Sequence, residues 1–143
     1  MSIMSEMEGK FIDYFGTGEP VKVVSVYTRA QAIQDGTLID VSKLAKEAGF
    51  KYPLAVTSRV FYEVIVPPDE VSSTQDDIGR LWDLLNVLRW EIKKCRPGQS
   101  RIDFHILVQN KPGKPPQKQS LYSTCGPGDD LEPVLTICMP DED

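Results

Sequence analysis

A chain of 143 residues with 41% hydrophobic and 26% charged residues has the size and composition of one globular domain, which excludes a fibrous or wholly disordered protein. Sixteen Lys and Arg against 21 Asp and Glu leave a net charge of -5, which argues against a simple binder of nucleic acid or anionic membrane. No apolar run reaches the roughly 18 residues of a membrane span, and the start Met1–Gly18 lacks the basic and apolar segments of a secretion signal, so a cytoplasmic protein is expected.

Residues 1–19 read as an N-terminal arm whose aromatics Phe11, Tyr14 and Phe15 fall at helical spacing, and Val21–Tyr27 as a strand. Thr28-Arg-Ala-Gln31 is a capping box, so a short helix is predicted from there to Gln34, with its stop at Gly36. Asp40 or Ser42 caps a second short helix carrying Val41, Leu44, Ala45 and Ala48, and Gly49 ends it. Thr57–Val66 fits both helix and strand, and a helix capped by Thr57 and stopped by Pro67-Pro68 is preferred. The strongest element is Asp76–Lys94, with Ile78, Leu81, Trp82, Leu85, Leu88 and Ile92 at 3–4 residue spacing. Its acids Asp76 and Asp77 and its bases Lys93 and Lys94 suit the helix dipole, Pro97-Gly98 stops it, and Trp82 and Trp90 are expected in the core. Three strands follow, Ile102–Val108, Gln119–Cys125 and Glu132–Met139, joined by Pro- and Gly-rich turns that predict an antiparallel meander.

The predicted fold is therefore α+β, an antiparallel sheet of three or four strands covered on one face by one long central helix and two or three short ones. A single domain over 20–140 lies between the arm and an acidic tail, 141–143.

Charge is unevenly placed. The stretch 93–118 carries +6 and the remainder -11, which makes Arg96, Arg101, Lys111 and Lys114 candidates for nucleic acid, although the intervening strand sets them at two ends. Cys95, Cys125 and Cys138 lack zinc-site spacing and read as reduced thiols. His105, the only histidine, shares a strand face with Asp103, and with the loop acids it offers the one enzyme reading. Asp129, Asp130 and Glu132 lack the spacing of a calcium loop, and no nucleotide, zinc-peptidase or hydrolase motif occurs. No catalytic residue, metal ligand or cofactor is assigned. Arg29 opposes the dipole of its helix and has no local reason to be there, so with Asp129 and Asp130 it is a candidate partner contact. Arg80 and Asp83 are spaced to pair with each other.

The segments Tyr27-Thr-Arg-Ala-Gln-Ala-Ile-Gln-Asp-Gly-Thr-Leu-Ile-Asp-Val-Ser, Lys46-Glu-Ala-Gly-Phe-Lys-Tyr-Pro, Gly79-Arg-Leu-Trp-Asp-Leu-Leu and Cys125-Gly-Pro-Gly-Asp-Asp-Leu-Glu-Pro-Val-Leu-Thr-Ile carry a resemblance. Over residues 25–140 the chain resembles a family of small uncharacterised proteins of bacteria, plasmids and phages. The resemblance implies a bacterial or mobile-element setting, in which small acidic proteins serve as accessory or counter-defence factors. The leading expectation is a non-enzymatic protein that binds another protein through an acidic surface. A nucleic-acid binder using 93–118 and an enzyme using His105 are the alternatives, and a homodimer through an exposed edge strand is also open.

Overall fold

A computed structural model describes residues 27–142. The predicted arm 1–19 and all but the last residue of the predicted strand Val21–Tyr27 lie outside the described residues, and Tyr27 itself is not in a strand.

The elements run α1 (Arg29–Asp35), β1 (Leu38–Asp40), α2 (Ser42–Glu47), β2 (Leu54–Thr57), α3 (Ser58–Val60) continuing as a π-helical turn Phe61–Ile65, a 3₁₀ turn Asp69–Val71, α4 (Asp77–Lys93), β3 (Arg101–Val108), β4 (Gln117–Pro127) and β5 (Pro133–Cys138). The strands form one sheet in the order β1-β2-β5-β4-β3. The α+β class and the dominant helix are as expected, and β3, β4 and β5 form the antiparallel meander. Among the described residues the sheet has five strands, not three or four, and it is mixed, because β2 pairs with β5 in parallel.

Both unexpected strands are short. Three residues in β1 and four in β2 leave no room for a periodic signal. In β2, Leu54, Ala55 and Val56 are all fully buried, so the alternation that marks a one-sided strand is missing.

The main core lies between one face of the sheet and α2, the π-helical turn and α4. It joins Leu54 and Val56 of β2, Phe104, Ile106 and Val108 of β3, Leu121 of β4 and Leu135 and Ile137 of β5 to Leu81, Leu84, Leu85 and Leu88 of α4. Thr57 Oγ1 accepts from Val60 N, Asp76 Oδ1 accepts from Gly79 N, and Gly36 and Gly49 take positive φ, as expected, but α2 starts from Val41, with no side-chain cap, instead of from Asp40 or Ser42.

Two expectations about α4 are overturned. Trp82 and Trp90 are exposed rather than in the core, at 37% and 62%. Arg80 does not pair with Asp83; it is buried, and donates to Val64 O at 3.1 Å, Gln109 O at 2.7 Å and Gln75 Oε1 at 2.9 Å. Burial lowers the pKa of this guanidinium, and its hydrogen bonds tie the π-helical turn and the end of β3 to α4.

The second face of the sheet is covered in part. Thr136 alternates with the core-facing Leu135 and Ile137, and Arg29 of α1 reaches it from that side. Tyr122 and Cys138, opposite one another on β4 and β5, are buried there, and the Tyr122 hydroxyl donates to Glu142 O. The sheet thus carries helix on both faces, a departure from the one-sided cover expected.

Candidate functional site

Two constructions stand out, and the first is internal. α1 is only seven residues long, and its backbone donors are all met at the N-terminus. Thr28 Oγ1 accepts from Gln31 N at 3.0 Å, and Gln31 Oε1 accepts from Thr28 N at 2.9 Å. The two remaining amides, Arg29 N and Ala30 N, donate to Asp129 Oδ1 and Oδ2, each at 2.9 Å. Asp129 is held out by the β4–β5 turn, where Gly128 N donates to Glu132 O at 2.7 Å and a β-carbon on Gly128 would collide with the Glu132 carboxylate and Val134.

The Arg29 side chain completes this clasp. Its Nη1 donates to Thr136 Oγ1 and its Nη2 to Leu135 O, both at 2.7 Å. Burial lowers its pKa, and the carboxylates of Asp40, Asp129 and Glu132 act in the opposite sense. Arg29 and Asp129, singled out as partner contacts, are thus brought together in a bond network within the chain. Asp130 stays exposed in the turn.

The second construction is a cleft of about 550 Å³ where α4 ends over the sheet. Phe50, Ile92, Ile102, Cys125 and Leu135 supply its apolar wall. Lys51, Arg89, Lys93 and Arg96 also line it, and no carboxylate does. None of these four cations makes a salt bridge among the described residues. At this end of α4, Lys94 N and Cys95 N donate to Glu91 O and Ile92 O, and Cys95 Sγ to Glu91 O. Gly49 shapes the rim: at φ +102° it leaves the space in which the Arg89 guanidinium lies, 3.1 Å from where a β-carbon would stand. An apolar wall under unpaired cations suits an anionic group attached to an apolar body.

The model of the "Family of unknown function (DUF6573)" matches residues 13–143. The chain belongs to this family. No curated protein and no solved structure matches it.

The clasp explains two of the segments that carry the family resemblance. Tyr27–Gly36 and Cys125–Glu132, about a hundred residues apart, are the two halves of one bonded unit. Gly49–Tyr52, within the segment that begins at Lys46, forms one side of the cleft, so the family segments contribute to both constructions.

The basic candidates are dispersed. Arg96 lines the cleft, while Arg101 projects to the second face of the sheet, 3.8 Å over the Tyr122 ring and 3.1 Å from Asp103 Oδ1. Lys111 and Lys114 lie in the β3–β4 loop, beyond the far end of a strand about 25 Å long. His105 is exposed opposite Ser120 on the outer face of β3, and Asp103, its neighbour on that face, is engaged by Arg101. Among the described residues no three of His, Cys, Asp and Glu gather as a metal site, and no helix is long and apolar enough to cross a membrane.

Sequence reasoning did not find the cleft because its cations come from two separate segments, Lys51 and 89–96, of which the stretch 93–118 includes only Lys93 and Arg96. The signal available was the basic end of α4, where Arg89 and Lys93 are four residues apart and Arg96 follows just beyond the helix.

Proposed function

We propose that this protein acts without catalysis, by holding an acidic segment of another protein in the cleft at the end of α4. The observation that carries the reading is the meeting of Lys51, Arg89, Lys93 and Arg96 around an apolar wall where, among the described residues, they make no salt bridge and no carboxylate lines the cleft. An apolar side chain of the partner enters beside Phe50 and Ile92, and flanking carboxylates meet the cations. The accessory role implied by the bacterial and mobile-element resemblance is in keeping with such a binding protein.

Charge distribution favours a short anionic segment over a long nucleic acid. The cations of the cleft are local, the rest of the chain is strongly acidic, and Lys111 and Lys114 are too distant to extend a track for a phosphate backbone. Two of the acids expected to form an acidic docking surface, Asp129 and Glu142, are taken up by hydrogen bonds within the chain.

The test is fluorescence anisotropy with a labelled peptide of Glu and Asp around a central Leu-Phe pair. Its lysine-substituted counterpart and a labelled 20-nucleotide oligothymidine serve as the other two probes. Only the acidic peptide should bind, more weakly as salt rises, and the double variant Lys93→Glu, Arg96→Glu should reduce binding by tenfold or more. Binding of the oligothymidine alone, or acidic-peptide binding untouched by the charge reversal, would refute the proposal.

A further inference from the structure

The sequence before Tyr27 has the chemistry that the cleft suits. Between Glu6 and Phe15 it carries Glu6, Glu8 and Asp13 against Lys10 alone, and these acids flank the apolar pair Phe11-Ile12. Carboxylates of this segment match Lys51, Arg89, Lys93 and Arg96, and its apolar side chains match the wall that includes Phe50 and Ile92.

Position adds to composition. Arg29 follows two residues after Tyr27, and its Nη2 donates to Leu135 O, while the Leu135 side chain lies in the cleft wall. The chain thus enters the described fold on the opposite side of the sheet from the cleft but at the same end. β4 and β5 meet there at Pro127 and Pro133, and the paired residues Cys125 and Leu135 just inside that end line the cleft. Residues 16–26 can span up to about 36 Å, against about 10 Å between packed layers, so Glu6–Phe15 is within reach of the cleft. Lys111 and Lys114, the other basic pair, stand at the far end of β3.

We infer that Glu6–Phe15 of this same chain occupies the cleft until the acidic segment of a partner displaces it, an assignment that rests on the reading of the cleft as a site for acidic segments and adds its regulation. Tethering gives the arm an effective concentration on the order of millimolar, so weak contacts suffice to hold it. The apparent affinity of a partner falls in proportion to the fraction of chains whose cleft is free.

The test uses the full chain and the same labelled acidic peptide. Phe11→Ser with Ile12→Ser leaves the charge unchanged and should tighten peptide binding about fivefold or more. Glu6→Gln with Glu8→Gln and Asp13→Asn should do the same. On the Lys93→Glu, Arg96→Glu background neither set should have an effect, because the arm has lost its site there. Carbodiimide joins a carboxylate to an ammonium group held against it, and should link Glu6, Glu8 or Asp13 to Lys51 or Lys93. Mixing isotope-labelled and unlabelled protein should show these links within single chains, and excess acidic peptide should suppress them.

Peptide binding equally tight with and without the arm substitutions would overturn the inference and leave the reading of the cleft standing. Cross-links formed between copies instead of within one chain would overturn it as well. A peptide bound by none of the chains, the arm variants included, would remove the reading of the cleft and this inference together.

Discussion

At the scale of single residues, the most informative side chain is Asp129, whose two carboxylate oxygens close a helix that starts a hundred residues earlier. α1 is too short to persist alone, so its order depends on such external partners. Asp129→Ala should therefore cost about 1–2 kcal/mol in urea unfolding, at the upper end of N-cap losses because two amides lose their acceptor together. Asp130→Ala, one residue further along and exposed, should leave the urea midpoint unchanged. Tyr122 supplies a pH dependence. Burial first, then the hydrogen bond with Cys138, push its pKa up to about 12 from the ordinary value of 10.0. Because the folded-state pKa is the higher one, the stabilisation is fully present below pH 10 and is lost as pH rises through about 12. Phenolate absorbance should show a tyrosine with its midpoint near 12 that is lost in Tyr122→Phe, together with a falling melting temperature across that window.

At the scale of elements, α4 was the most legible part of the sequence, since seventeen residues carry several turns of apolar periodicity and a capping aspartate. Its buried side is as expected from Leu81, Leu85 and Leu88, whereas the tryptophans turn out because the apolar arc of the helix is wider than the surface that the sheet offers it. The π-helical turn is the opposite case. Thr57 signalled the start and Pro67 the stop, but the wider turn leaves carbonyls that only the buried Arg80, sixteen residues on, comes to meet at Val64 O. The link between α2 and β2 joins an element to the cleft through Gly49. Gly49→Ala strains a backbone at φ +102° and crowds the Arg89 guanidinium, so a loss of about 1–2 kcal/mol is expected in urea unfolding. The acidic peptide should also bind more weakly to it, because Arg89 must leave its place on the rim. A variant with unchanged affinity would show that Arg89 does not contribute to the cleft.

At the scale of the whole molecule, the parallel pairing of β2 with β5 is the decisive feature, for it sews the first half of the chain into the meander of the second. Leu54, Ala55 and Val56 lie opposite Leu135, Thr136 and Ile137, which makes β5 the central strand of the sheet and brings Thr136 under Arg29. From that one pairing follow both constructions: the clasp on one face of the sheet and, on the other, the cleft in which Leu135 is joined by residues from the α2–β2 link, α4 and β3.

The sequence by itself determined the class of fold, the starts and stops of the helices, the meander and the family, because capping residues, breakers and periodicity act over a few neighbouring positions. It also singled out Arg29 as a residue without a local reason, which was correct as far as local reasons go. What the tertiary structure alone decided was where the distant partners meet: Asp129 with the amides of α1, Arg29 with β5, Lys51 with the bases of α4, and the tryptophans with solvent. Those meetings depend on strand order and on which face of the sheet each helix covers. Neither is written in any short window of the chain, since both are settled by packing between segments up to a hundred residues apart.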